Sequence, residues 1–214
     1  MQNDRITFKE LQRRDFDIAT KFALTGMHLD RYASGLALKL YAKDVFCEAL
    51  ARCTLPLAAY DGNRLTGFLL AAFEGEAHPY ARSAQARFHR MFTALSKLVP
   101  YAAAEEPYDR ANEEMREELP FEPDGEIVLF AADPACQGRG IGTKLLNELS
   151  RLRPGKRVFL YTDDACTYRF YESRGFDRMG KRRVELPLPQ GTLSMESFLY
   201  AKTLPESSEQ KERA

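Results

Sequence analysis

The stretch from Glu126 to Leu152 constrains this chain more than any other, because its composition changes abruptly in the middle. It starts with an apolar run from Ile127 to Ala132, which Asp133 and Pro134 terminate. The run is too short for a helix, so it predicts a buried strand. A glycine-spaced turn follows, and apolar side chains then recur at helical spacing, at Ile141, Leu145, Leu149 and Leu152. The sequence therefore predicts a strand, a glycine turn and a helix in direct succession.

A strand that runs through a glycine turn into a helix is typical of a phosphate-binding site. Glycine lets the backbone approach an anion with its N–H groups unobstructed. The first helical turn adds N–H groups that have no intrahelical acceptor, together with the positive end of the helix dipole. The alternative is a glycine-rich turn that binds no ligand.

The glycine spacing argues against two classes of nucleotide-binding protein. A dinucleotide fingerprint that starts at Gly138 needs its third glycine where Thr143 stands, and Gly142 comes one place too early. A Walker A loop needs glycine and lysine followed by serine or threonine, whereas here Thr143 precedes Lys144. A nucleotide-binding α/β enzyme is therefore the weakest hypothesis.

Two motifs resemble the Gcn5-related N-acetyltransferase superfamily. Gln137 to Gly142 reads Gln-x-x-Gly-x-Gly directly after the predicted strand, which resembles the acyl-coenzyme A loop of that superfamily. Phe170 to Phe176 reads F-Y-E-S-R-G-F, which resembles its aromatic-Tyr-x-x-x-Gly-Phe segment after the fifth strand. The two motifs stand in the right order, one strand apart, and the resemblance covers most of the chain.

The resemblance implies a fold of the α+β or α/β class, with a mixed, mostly antiparallel, twisted sheet of about seven strands flanked by helices. The sheet should splay between the strands at Ile127 and Val158, with the pantetheine arm of the coenzyme in the cleft. We expect one domain over residues 1–204 and a disordered tail over residues 205–214, where the composition is polar and charged.

Hydrophobic patterns predict the remaining elements. Strands are expected at residues 6–8, 55–60, 65–73, 157–161, 176–186 and 195–202. Asp15 is a candidate N-cap for a first helix. Thr162, Asp163 or Asp164 is a candidate N-cap for a later, short helix, which Gly175 ends. A longer helix is expected over residues 36–52, with Leu36, Leu40, Cys47 and Leu50 as its apolar stripe. Gly67 inside a strand indicates a bulge or a close backbone approach.

A helical insertion is expected between the third and fourth strands, over about residues 75–124, where the family usually has a short hairpin. A gap of this size needs structure of its own. Its first helix carries apolar residues at Ala84, Phe88, Met91, Phe92, Leu95 and Leu98. Its second, over about 107–119, is mostly acidic, which predicts either a solvated face or a lid that attracts a cationic amine.

The resemblance also implies a set of coenzyme-binding residues. The backbone of the glycine loop would hold the pyrophosphate, Arg139 would add charge, and a backbone N–H near Phe130 or Ala131 would polarise the thioester carbonyl. Asp164 departs from the family, where many members have an asparagine, and a carboxylate cannot donate as an amide does. The full set is Phe130, Ala131, Ala132, Gln137, Gly138, Arg139, Gly140, Ile141, Gly142, Thr143, Asp164 and Tyr168.

Two residues are candidates for proton transfer. The family's tyrosine acid corresponds to Tyr171, with Tyr168 as a second choice and plain aromatic packing as the alternative. Glu126, eleven places before Gln137, resembles the glutamate base of the histone acetyltransferase branch. It is otherwise an ordinary exposed residue at the start of a strand. The loop that holds His28, Asp30 and Tyr32 is a candidate for substrate contact or for a water-mediated relay.

Composition excludes several classes of partner. Lysine plus arginine equals aspartate plus glutamate at 31 each, so no basic field suggests nucleic acid. No apolar run approaches the ~20 residues of a membrane span, and we expect a cytoplasmic protein without a membrane partner. The four cysteines show neither metal-ligand nor disulfide-framework spacing, so no metal is expected. Cys136 beside the glycine loop is interpreted as a packed thiol rather than a nucleophile.

The sequence thus favours an acetyl-coenzyme A dependent N-acetyltransferase. It would move an acetyl group to a primary amine of a small molecule or protein by direct transfer in a ternary complex. The alternative is a non-catalytic acyl-coenzyme A binding or sensing module of the same fold. A homodimer is common in the superfamily.

Overall fold

Seven strands form one mixed sheet in this computed structural model, which describes residues 6–96, 106–188 and 191–206. The sheet order is β1-β2-β3-β4-β5-β7-β6, and every neighbouring pair is antiparallel except β4 and β5. This confirms the predicted fold class. The strands are β1 Ile6–Glu10, β2 Leu55–Asp61, β3 Arg64–Phe73, β4 Gly125–Ala132, β5 Arg157–Asp163, β6 Asp177–Leu188 and β7 Gly191–Thr203.

Helices cover both faces of the sheet, and two separate cores result. The helices are α1 Phe16–Gly26, α2 Gly35–Arg52, α3 Ala84–Ser96, α4 Glu106–Glu117, α5 Ile141–Leu152 and α6 Tyr168–Glu172. On one face, α1 and α2 bury Phe22, Phe46 and Leu50 against Leu129 and Ala131 of β4. On the other face α5 and α6 pack on the sheet, and the core there contains Ile127, Leu149, Val158 and Phe176.

The predicted apolar stripe of α2 is wrong in its first half. Leu36 and Leu40 are 73% and 40% exposed, whereas the buried side chains start at Ala42 and include Phe46 and Leu50. Only the second half of α2 therefore lies over the core. In α3, Met91 and Leu95 are likewise exposed, because this helix packs on α2 rather than on the sheet. The position of Leu98 lies outside the described residues.

The insertion between β3 and β4 is helical, as predicted, and α4 is docked on the sheet. Ala111 packs with Val184 and Met195 of the outer strands, and Met115 is fully buried. Gly180 of β6 makes this approach possible, since a Cβ there would lie 2.8 Å from Met115. The charged residues of α4 occupy the opposite side, where the helix is exposed. The mostly acidic helix is therefore amphipathic, with one apolar stripe buried.

Strand β4 contains one extra residue, and it separates from β5 after two residue pairs. The register between β3 and β4 shifts at Ala71, where Ile127 and Val128 together occupy the place of one residue. Between β4 and β5 only two residue pairs are formed, at Gly125 with Val158 and at Glu126 with Phe159. Beyond them the two strands diverge, which confirms the predicted splay.

Gly67 was expected to mark a bulge or a close backbone approach, and both are present. The register of β2 and β3 shifts beside it, and a Cβ at this position would lie 2.8 Å from Ile141 Cγ2. Of the two capping predictions, one is confirmed in position and one is wrong. Asp15 is the N-cap residue of α1, as predicted, but its carboxylate makes no capping hydrogen bond and instead accepts one from the Tyr60 hydroxyl at 2.8 Å. The short helix α6 starts only after Thr167, and Asp163 accepts hydrogen bonds from the preceding turn. Of the predicted tail, residues 207–214 lie outside the described part.

Candidate functional site

The split between β4 and β5 exposes backbone groups of the central strand. Asp133 donates its N–H to Thr66 of β3 at 2.9 Å. Because the N–H groups of successive residues point to opposite sides of a strand, the N–H of Ala131 also points towards β3. The N–H of Phe130 points towards the split. The sequence left these two residues open as carbonyl-polarising donors, and the strand geometry favours Phe130. Ala131 turns its side chain into the core beneath α1. Ala132 is partly buried beside α5.

The glycine loop lies next to this split and presents N–H donors. Gly138 and Gly140 have φ angles of 80° and 69°, a left-handed conformation that favours glycine. Gln137, Gly138 and Gly140 are exposed. The helix α5 then starts at Ile141, so its first N–H groups have no intrahelical acceptor. This combination of donors suits a phosphate group.

Close packing fixes the start of α5 against the other elements of the split. A Cβ at Gly142 would lie 3.0 Å from Phe170 of α6 and 3.4 Å from Phe130 of β4. Thr143 accepts a hydrogen bond from Arg174 Nε at 2.9 Å through its hydroxyl. Any larger residue in place of Gly142 would therefore push α5 away from the cleft.

Two predicted coenzyme contacts find other partners in the structure. Arg139 donates to Asp61 at 3.0 Å, so its charge is directed at the β2–β3 hairpin. Sequence reasoning had no access to that pair, since the residues are 78 positions apart. Asp164 is exposed, and its backbone N–H donates to Glu196. Cys136 is 3% exposed and packed, as predicted.

Tyr171 bridges the two halves of the sheet. Its ring centroid lies 6.4 Å from that of Phe130 in β4 and 6.2 Å from that of Tyr200 in β7. Burial raises the pKa of its hydroxyl, so the group stays protonated at neutral pH. Tyr168, the second choice, packs on Phe198 with ring centroids 5.1 Å apart and is covered by Arg178. Tyr171 thus combines aromatic packing between the two halves of the sheet with a buried, protonated hydroxyl.

Glu126 lies on the opposite face of the sheet from Tyr171. Its carboxylate is 15% exposed and pairs with Arg52, the last residue of α2, at 2.5 Å. Burial raises the pKa of this carboxyl, and the Arg52 guanidinium partly opposes that effect. Tyr161 of β5 lies close by, and the negative charge of Glu126 adds to burial in raising the pKa of the Tyr161 hydroxyl. Glu126 is therefore not the ordinary exposed residue of the alternative interpretation.

Of the three residues predicted in the loop between α1 and α2, only Tyr32 reaches other parts of this region. Its hydroxyl contacts the Met195 sulfur at 3.6 Å, and its pKa is raised by burial and by Asp163. His28 and Asp30 are exposed, and His28 adopts a left-handed φ of 52°.

Sequence reasoning missed the contribution of α4 to this region. Asn112 is 7% exposed and accepts a hydrogen bond from the Ser197 hydroxyl at 2.8 Å. The backbone carbonyl oxygen of Asn112 accepts a hydrogen bond from the Tyr161 hydroxyl at 3.0 Å. The spacing of Tyr108, Asn112 and Met115 along one helical face was the signal available. The insertion therefore forms part of the sheet face that carries Tyr161 and Ser197.

A family model described as Acetyltransferase (GNAT) domain matches residues 98–178, which include the glycine loop, the split and Tyr171. Over these residues the chain is similar to the Gcn5-related N-acetyltransferase superfamily. Two curated mycobacterial proteins also resemble part of the chain. The N-alpha-acetyltransferase RimI of Mycobacterium tuberculosis is 46% identical over 66 residues, which cover 30% of this chain and 40% of that protein. An uncharacterised protein of Mycobacterium leprae is 40% identical over 65 residues, or 29% of this chain and 18% of that protein. The matches thus span less than half the length of these relatives.

Solved structures of the superfamily share the fold across nearly the whole chain. The ribosomal-protein-S18-alanine N-acetyltransferase of Escherichia coli superposes with a TM-score of 0.51 at 16% identity, covering 95% of this chain and 97% of that one. NAA60 of Arabidopsis thaliana, solved with a bisubstrate analogue, gives a TM-score of 0.54 at 15% identity, covering 94% and 99%. The shared fold therefore includes the strands on both sides of the insertion.

No helix in ranges 6–96, 106–188 and 191–206 is long and apolar enough to cross a membrane. Within the same ranges, no three histidine, cysteine or acidic side chains are grouped so as to hold a metal ion.

Proposed function

We propose that this protein is an acetyl-coenzyme A dependent N-acetyltransferase that transfers the acetyl group directly to a primary amine in a ternary complex. The observation that carries the proposal is the split sheet, with Tyr171 on one face and Glu126 on the other. A donor and an acceptor that enter from opposite faces would meet at the split without a covalent enzyme intermediate.

The residues at the glycine loop fit the coenzyme. Gly138, Gly140 and the first turn of α5 offer backbone N–H groups to a pyrophosphate. The coenzyme would supply an activated acetyl thioester. The N–H of Phe130, which faces the split, is suited to polarise the thioester carbonyl, because a fixed donor stabilises negative charge that develops on oxygen.

The two titratable residues suit opposite halves of the proton transfer. Glu126 would take the proton from the acceptor ammonium, and the free amine would then attack the carbonyl carbon. Burial raises the pKa of Glu126, which makes it a better base. Tyr171 would donate its proton to the departing sulfur, which its raised pKa keeps available.

The acceptor class is the part of the proposal that the sequence leaves open. The name of the mycobacterial relative refers to an α-amine, and so we infer that the free α-amine of a protein N-terminus is the first acceptor to test. Small primary amines form the second class.

The test is a panel of peptides with free N-termini and of small amines, incubated with acetyl-coenzyme A while free thiol release is followed. We expect at least one acceptor class to raise thiol release well above the hydrolysis background. If the coenzyme binds but no acceptor raises release, the non-catalytic binding module is the better account. Thermal stabilisation by ATP or NAD but not by acetyl-coenzyme A would contradict both.

A further inference from the structure

We propose that Arg52 is a positioning residue that keeps the Glu126 carboxylate ionised and directed at the split. On this proposal, which rests on the proposed function, the ion pair sets the lower end of the pH range in which acetyl transfer operates.

Three contacts fix the guanidinium and backbone of Arg52. Arg52 Nη2 lies 2.5 Å from Glu126 Oε2, and Nη1 lies 3.7 Å from Glu48, one helical turn earlier in α2. The Arg52 carbonyl contacts Nδ1 of His78, in the segment after β3, at 2.7 Å. The residue therefore ends α2 in one defined place, with its side chain held between two carboxylates.

The environment of the pair is asymmetric. Glu126 is 15% exposed, whereas Arg52 is 48% exposed. The carboxylate thus carries most of the desolvation, and the guanidinium keeps part of its hydration. A shielded carboxylate without a cation nearby would bind a proton at a higher pH, because burial penalises the charged form.

The charged and titratable groups that face Glu126 come from three elements. Arg52 and Glu48 project from α2, Arg116 from α4, and Tyr161 from β5. Burial is the largest influence on the Glu126 pKa and raises it, and Arg52 is the strongest influence in the other direction. Glu48 raises this pKa, and Arg116 lowers it. Of these side chains, Arg52 is therefore the one whose removal should change the pKa of the Glu126 carboxyl most.

The proton balance of the step explains why the ionised state matters. The Glu126 carboxylate takes a proton from the acceptor ammonium and becomes a neutral carboxyl. The amine lone pair then forms the C–N bond as the C–S bond breaks, and the nitrogen releases its second proton to water. The sulfur leaves with the bonding electrons and takes the Tyr171 proton. Both side chains return to their resting states by exchange with water. A carboxyl that is already protonated cannot start this sequence.

The experiment compares kcat/KM from mildly acidic to alkaline pH in the unmodified protein, Arg52→Met and Arg52→Lys. Loss of the guanidinium should move the acidic limb of Arg52→Met to higher pH. Its kcat/KM should then fall by about tenfold more at acidic than at alkaline pH, the change that one unit of pKa produces. Arg52→Lys, which keeps a cation, should retain most of the original profile.

Arg151→Met is the matched control. Arg151 pairs with Glu148 at 2.7 Å on the exposed side of α5, and the Glu148 side chain is also 15% exposed. This variant loses a comparable ion pair away from the split, so its pH profile should not move. An equal loss of kcat/KM at every pH in Arg52→Met would overturn the proposal, since it would indicate a structural role alone.

A second readout does not depend on turnover. A carboxyl ¹³C NMR titration, with the Glu126 signal assigned from Glu126→Gln, should show that the Glu126 pKa rises in Arg52→Met. If the amine panel gives no turnover, the proposed function fails while the titration still decides the role of the pair. If turnover is found and the titration is unchanged, the inference about Arg52 fails by itself.

Discussion

The two faces of the split are built in different ways. The coenzyme face depends on neighbours in sequence, since the glycine loop runs into α5 and Tyr171 follows one strand later. The acceptor face depends on contacts between residues far apart, such as Arg52 with Glu126 across 74 positions and Asn112 with Ser197 across 85. Motifs can encode the first kind of site, while only the folded chain assembles the second.

This difference implies that variants on each face should affect different kinetic quantities. Substitutions at the glycine loop should weaken coenzyme binding and leave acceptor binding intact. Substitutions on the α2 and α4 side should do the reverse. Tyr171 and Glu126 are the residues proposed to transfer protons during the reaction, and both should act on turnover.

The largest effect is expected for Glu126→Gln. An amide cannot take the ammonium proton, so kcat should fall by about 10²- to 10³-fold, within the range of general base catalysis. Steady-state kinetics with the best acceptor measures this, and the dissociation constant of acetyl-coenzyme A should be unchanged.

The stability of Glu126→Gln provides a control for its loss of activity. A carboxyl with a raised folded-state pKa contributes stability below its unfolded-state pKa, and this stability is lost as pH rises through the folded value. At neutral pH the amide should therefore not lower the thermal midpoint. A variant that unfolds earlier and loses activity in proportion would contradict a catalytic role.

Tyr171→Phe should lower kcat by about 10²-fold, because it removes the proton donor but keeps the aromatic ring between Phe130 and Tyr200. The raised pKa of Tyr171 predicts that the alkaline limb of the unmodified protein lies above the range of an ordinary tyrosine. The pH dependence of kcat checks this. Tyr168→Phe is the companion variant, and an equal loss there would transfer the role to Tyr168.

Gly140→Ala should weaken acetyl-coenzyme A binding by about tenfold. A side chain in the left-handed conformation costs about 1 kcal/mol and disturbs the donors of the loop. Gly62→Ala is a close control, since Gly62 has a φ of 60° in the β2–β3 hairpin and, like Gly140, has open space at its Cβ position. Isothermal titration should show weakened binding for Gly140→Ala alone. Equal loss in both variants would point to general destabilisation.

Asn112→Ala should have the smallest effect on kcat and raise the KM of the acceptor only. It should also destabilise the fold by about 1–3 kcal/mol, because the buried Ser197 hydroxyl loses its acceptor. Glu117→Ala on the exposed side of α4 is the control. A rise in the KM of acetyl-coenzyme A instead would remove the distinction between the two faces.

The residues proposed to hold the coenzyme could be nominated from the sequence. Gly138, Gly140 and Gly142 are recognisable because only glycine suits a backbone that turns left-handed or lies against an aromatic ring. The resemblance to the superfamily motif added Tyr171. The splay of the sheet could be inferred from that resemblance, but the extra residue at Val128 leaves no mark in hydrophobic patterning.

The acceptor face was predictable only in part. Glu126 could be proposed from its spacing to Gln137, but Arg52 could not, since nothing local joins the end of α2 to β4. The exposed positions of Leu36 and Leu40 were misread for a related reason. A helical stripe shows which side is apolar, yet not how far the partner surface extends beneath it.

The extra residue in β4 has a consequence for how this protein is compared with its relatives. A one-residue deletion at Val128 would leave Ile127 opposite Ala71 and Leu129 opposite Leu70, and so would make the ladder with β3 regular. Such a chain would keep every glycine of the loop and every residue of the tyrosine motif. A search by motif would therefore not detect that the central strand had lost its irregularity.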